Sequence, residues 1–253
     1  MTTKTAAVLV GHGSLHSDSG QAMLQIAALL REQQVAPVVE AGFLNFSQPT
    51  MSEAVEKAVA QGVDQVIIQP YFLIAGHYVR NELREVVHTL AAKHSPVRFT
   101  IADVLGDHTA MFNLACKRLA AIDPGEQSAE EQRGVLFVAH GTPLDEANAP
   151  IERLLRRVSD RGGYRQAGIG YLDCNQPDIP TAFDQLVATG VTHLTVLPYF
   201  LHLGRHVRSD LPALFAEARQ RHAGVDIQIA HHLDYDPLLA QVAAERIMAA
   251  MMC

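Results

Sequence analysis

The chain repeats itself at a fixed interval, and that constrains its fold more than any other feature. Val10-Gly11-His12-Gly13-Ser14 returns as Val138-Ala139-His140-Gly141-Thr142, and Pro70-Tyr71-Phe72-Leu73 returns unchanged as Pro198-Tyr199-Phe200-Leu201. The separations agree: 140 − 12 and 198 − 70 both give 128. Gly42-Phe43-Leu44, Gln48-Pro49, Val79-Arg80 and Ile101-Ala102 recur at the same offset. One spacing held over most of 253 residues implies two copies of one structural unit. Two copies are too few for a solenoid, so each must be a compact half.

Within each copy, short β-branched runs alternate with stretches of helical spacing. The runs Ala6–Val10, Pro37–Phe43, Gln65–Gln69 and Val97–Ala102 read as buried strands, as do Gly134–Val138, Ala167–Tyr171, His193–Leu197 and Asp226–Ala230. The Ala-rich stretches between them read as helices, with Asn81 and Ser209 as N-caps at one repeat position. This alternation predicts an α/β chain of two similar Rossmann-like halves, each a parallel four-stranded sheet flanked by helices. The polar run 123–133 reads as a linker between halves 1–122 and 134–253.

Composition narrows the function. Apolar residues make up 48%, enough for a core, and the net charge of −7 argues against general nucleic-acid binding. Three scattered cysteines offer no C-x-x-C spacing and suit a reducing compartment. Neither a leader nor a membrane span is apparent, so the expectation is a cytoplasmic protein without a membrane partner.

In parallel sheets, ligands gather beyond the carboxyl ends of the strands. There the second copy carries His140, Asp173 and His206. Two imidazoles and a carboxylate suit a borderline divalent metal and leave a position open for substrate. The first copy is an internal control. His12 matches His140, but Asn45 stands for Asp173 and Tyr78 for His206, while His77 falls one residue early, opposite Arg205. The second copy is therefore the favoured chemical site, with His12 and His77 as candidates to meet substrate. Arg205 and Arg208, with Arg80 repeating Arg208, place cations where they could pair with a carboxylate-rich ligand or simply be solvated.

Gly11-His12-Gly13-Ser14-Leu15-His16 lacks the third glycine of a dinucleotide loop, and no P-loop is present, so no nucleotide cofactor is expected. Most remaining histidines read as surface or cap residues; His231-His232, past the fourth strand, could add a secondary metal contact.

Together, the two His-Gly-Ser/Thr turns, the Phe-Leu and Tyr-Leu-Asp segments ahead of Gln-Pro, and Pro-Tyr-Phe-Leu followed by Gly-Arg-His-Val-Arg resemble the sirohydrochlorin chelatases of the CbiX and SirB type. The resemblance spans nearly the whole chain. It implies two α/β halves with a cleft between them and ATP-independent insertion of Co²⁺ or Fe²⁺ into sirohydrochlorin, on the routes to cobalamin or sirohaem. It also implies that His140 and His206 hold the metal with Asp173, which stands where the family usually has Glu. No cofactor beyond the substrate metal is implied. The partner would be sirohydrochlorin or a related tetrapyrrole, and the chain a monomer of two repeats or a loose homodimer. Outside this resemblance, a non-catalytic tetrapyrrole or metal carrier and a phosphatase-like hydrolase built on the His-Gly-Thr turn remain alternatives.

Overall fold

The computed structural model describes residues 3–14, 20–122, 132–202 and 204–252; the side chains of 205–207 fall outside the described set, as does most of the expected linker. Two four-stranded, all-parallel sheets are present, with strand orders β2-β1-β3-β4 and β6-β5-β7-β8. The first comprises β1 (Thr5–Gly11), β2 (Val38–Phe43), β3 (Gln65–Pro70) and β4 (Arg98–Ile101). The second comprises β5 (Arg133–Ala139), β6 (Gln166–Tyr171), β7 (His193–Pro198) and β8 (Asp226–Ile229). The expectation of two parallel, helix-flanked sheets holds.

The central strands β1 and β3 are buried along their whole length. That explains their continuous apolar runs: a strand covered on both faces has no reason to alternate polar and apolar residues. On one face of the first sheet, Ala6, Val8, Val10, Val66 and Ile68 pack with α2 (Met51–Val59) and α3 (Leu83–Lys93). The equivalent face of the second joins Leu136, Val138, Leu194 and Val196 to α6 (Ile179–Ala188) and α7 (Arg205–Arg221). The starts of α2 and α6 are capped at one repeat position. Thr50 forms a reciprocal capping box with Glu53, and Asp178 accepts from the Thr181 amide.

Packing divides the chain differently from the repeat. One compact unit comprises residues 1–110 with 235–253, and the other comprises 111–234. The last helix, α8 (Pro237–Met251), therefore packs in the first unit, against α1 (Gln21–Glu32) and β3. Most of α4 (Thr109–Ala120) belongs to the second unit, where the Arg157 guanidinium of α5 (Ala149–Gly162) lies 4.6 Å from the Phe112 ring centroid. The two repeats have exchanged their final helices.

The expected caps at Asn81 and Ser209 are corrected. Helix α7 begins four residues before Ser209, after Gly204, and carries Pro212 in its interior. At the matching place in the first copy, Tyr78–Glu82 form a single π-helical turn that includes Asn81. Among the described residues, no helix is long and apolar enough to cross a membrane.

Candidate functional site

Both copies build the same backbone at their strand ends. The Asn45 amide donates to the His12 carbonyl and the Asp173 amide to the His140 carbonyl, each at 2.9 Å. These bonds extend the pairing of β1 with β2, and of β5 with β6, one step past the sheet. The following glycine is required at each. Gly13 has φ +87° and Gly141 φ +91°, and a Cβ there would lie 1.7 Å from the Asn45 carbonyl oxygen or 1.9 Å from that of Asp173. The recurrent His-Gly thus brings the second strand's terminal loop against the histidine.

The side chains differ. His140 and Asp173 are both exposed. The Asp173 Oδ1 accepts from the Cys174 amide at 2.7 Å, which orients the carboxylate. Desolvation and the neighbouring Asp173 carboxylate push the Cys174 thiol up, so it stays protonated and is a poor ligand. The backbone places Arg205 and His206 in the first turn of α7, but their side chains lie outside the described residues. Arg208, one turn from Gly204, is exposed.

In the first copy, His12 is half-buried. Its Nδ1 lies 2.9 Å from the Gly13 carbonyl, and its Nε2 is buried with no hydrogen-bond partner. The Tyr78 ring stands edge-on to His12 at 4.2 Å, and the Phe46 ring lies 5.9 Å away. Asn45 donates to Glu82 at 3.1 Å. His77 is exposed, with Nδ1 2.9 Å from the Asn81 amide nitrogen. Arg80 donates to the Ala75 carbonyl of its own loop at 2.8 Å. Tyr78 is the residue of this loop whose ring lies against His12, with the His77 ring 6.1 Å from that of Tyr78.

One group of potential metal ligands among the described residues is His231, His232 and Asp234, just past β8, with an atom from each within 4.8 Å of the others. The two imidazoles stack at 4.4 Å. Burial, reinforced by His231, lowers the His232 pKa to about 4, so that ring is neutral at neutral pH and able to ligate. The sequence points to the His231-His232 pair as a secondary metal contact, and the structure adds Asp234, which Leu233 separates from the pair. Alignment of the copies would have revealed it, since Asp103, Val104 and Gly106 occupy the matching positions.

The CbiX family model matches residues 6–122 and again 134–250, one match for each repeat. A sirohydrochlorin cobaltochelatase of Priestia megaterium is 21% identical over 94% of this chain and 78% of its own length. The chloroplastic sirohydrochlorin ferrochelatase of Arabidopsis thaliana is 31% identical over 45% of this chain, a match that spans 51% of that relative. The fold matches SirB from Bacillus subtilis with Fe³⁺ at a TM-score of 0.85 and 17% identity, covering 98% of this chain and 95% of that one. With the family model matching both copies, whose sheets share one strand order along the repeat, the chain belongs to the CbiX and SirB family of sirohydrochlorin chelatases.

Proposed function

We propose that this protein inserts a divalent metal ion, Co²⁺ or Fe²⁺, into sirohydrochlorin with release of two protons. The single observation that carries the reading is the exposed pair His140 and Asp173, joined through a backbone hydrogen bond at the carboxyl edge of the second sheet. Membership of the family and the names of its relatives supply the substrate class.

In this mechanism, His140 and His206 hold the incoming ion, and Asp173 adds a further oxygen or orients an imidazole. Each pyrrole N–H proton must leave as its nitrogen takes the metal. A neutral imidazole is a suitable acceptor at neutral pH, and the exposed Asp173 carboxylate can pass the proton to water. Arg205 and Arg208, and Arg80 and His77 of the first copy, are the candidates for pairing with the peripheral carboxylates of the macrocycle, and His12 is a candidate for substrate contact rather than for metal binding. The proposed reaction uses no ATP, in keeping with the absence of a P-loop motif and with the ATP-independent chelatases that the sequence resembles.

The test is anaerobic incubation with sirohydrochlorin and each metal in turn, followed by the absorbance of the macrocycle. Insertion faster than in the protein-free control, with Co²⁺ or Fe²⁺, is expected. No acceleration over the protein-free control with any metal would overturn the reading and favour a non-catalytic carrier.

A further inference from the structure

We propose that His231, His232 and Asp234 form a second metal site that binds a borderline divalent cation such as Co²⁺, Fe²⁺ or Zn²⁺, separate from the His140 and Asp173 pair. This site stands whether or not His140 carries the inserted ion.

Position separates the two sites. Sheet order puts β7 between β5 and β8. At the usual strand spacing, the chain after β8 lies about 10 Å from the chain after β5 at backbone level. No ligand atom of His140 or Asp173 joins the group around His231. The ligand chemistry is complete in itself. Two imidazoles and one carboxylate match a three-ligand site that leaves a coordination position open. Ligand atoms in a tetrahedral shell sit about 3.5 Å apart, so the 4.8 Å limit here requires only small side-chain rotations. The His231 Nδ1 lies 3.0 Å from the His232 carbonyl, which assigns the proton to Nδ1 and leaves the Nε2 lone pair for an ion.

The backbone beneath these ligands is fixed. Arg118 donates through Nε to the His232 carbonyl at 3.1 Å and through Nη2 to the Leu233 carbonyl at 2.5 Å. Leu233 is fully buried, and its amide donates to the Phe200 carbonyl at 3.0 Å. The first copy keeps the buried leucine and its amide bond, lacks the bond that Arg118 makes through Nε, and lacks the histidines. Leu105 is buried like Leu233, its amide donates to the Phe72 carbonyl, and Arg246 stands at the repeat position of Arg118, 3.5 Å from Asp103. Around that conserved frame, Asp103, Val104 and Gly106 are replaced by His231, His232 and Asp234. The last exchange puts a carboxylate on a left-handed backbone position, which Asp tolerates better than most residues. Gly106 has φ +60° and Asp234 φ +47°, a conformation in which glycine is the easier residue.

Co²⁺ binding to the full chain, by equilibrium dialysis and visible absorption, tests the proposal. Two variants remove ligands: His231→Gln, and Asp234→Gly, which restores the first copy's residue in the same backbone conformation and so keeps the fold. Each is expected to weaken one Co²⁺ ion by at least about tenfold, while that ion's signal persists in His140→Ala. Wild-type binding in both ligand variants would overturn the proposal. Loss of the same ion in His140→Ala would also overturn it, by merging the two sites. Insertion rates are read in a separate assay, so failure of the insertion reading leaves this result interpretable.

Discussion

His12 and His140 leave equivalent strands through the same His-Gly turn and accept the same backbone hydrogen bond, yet their surroundings diverge. His12 is covered by Tyr78, its Nε2 is enclosed, and its neighbour Asn45 is tied to Glu82. His140 is open, with a carboxylate next to it. A duplicated scaffold needs only one active edge. If the second copy supplies the ligands, as proposed, an aromatic residue at 78 and an amide at 45 are compatible with the same turn and sheet in the first. The difference teaches that the turn positions the histidine, while residues from the neighbouring loops decide whether it can bind a metal.

That comparison can be broken first at Asp173. Asp173→Asn gives the second copy the amide of the first and is expected to slow insertion by about 10 to 100-fold, the range for loss of a group that ligates or orients a ligand. Anaerobic insertion rates measured across a range of metal concentrations check this, and an unchanged rate would remove Asp173 from the mechanism.

The shared turn is the next point of attack. Alanine at Gly141 or Gly13 forces a left-handed conformation and a clash with a backbone oxygen. Each should cost about 1–3 kcal/mol, read as a lowered urea midpoint. Only Gly141→Ala should also depress insertion beyond its effect on stability. Equal loss of activity in the two variants would argue that both edges act.

The smallest expected effect concerns His232. Its folded pKa is lowered from 6.5 to about 4, so between those values the unfolded chain binds the extra proton. Stability is unaffected by this group above pH 6.5 and falls as the pH drops from 6.5 towards 4. His232→Val, which restores the residue of the first copy, should flatten that part of the curve. Unfolding midpoints at pH 7, 5.5 and 4.5 check it; parallel curves for both proteins would contradict the assignment.

Much of the fold was legible because the repeat and the apolar runs carry it. All eight strands fall within a residue or two of their expected ranges, and Gly13 and Gly141 can be read as turn residues from the sequence alone. The exchange of α4 and α8 was not legible. Both helices are Ala-rich and occupy the same repeat position, and local pattern does not say which sheet an apolar face will meet. The start of α7 was missed because Ser209 and Pro212 imitate the first turn of a helix, whereas the chain starts it at Gly204. At the site, His140 and Asp173 were found through strand ends, since both follow buried runs. The covering of His12 by Tyr78 depends on side-chain packing across two loops, which spacing does not encode. At the fourth strand end of the second copy the adjacent pair His231-His232 is legible as a candidate metal contact, whereas Asp234 stands out only as a difference between copies.

The central claim is that metal insertion belongs to the second copy. Insertion of Co²⁺ into sirohydrochlorin by His12→Ala and His140→Ala, measured side by side under anaerobic conditions with matched folded protein, tests it most directly. The account predicts a loss of about 10² to 10⁴-fold in His140→Ala, the range for removal of an acid–base group, and a rate within a few-fold of wild type in His12→Ala. The reverse order, or equal losses, would contradict it.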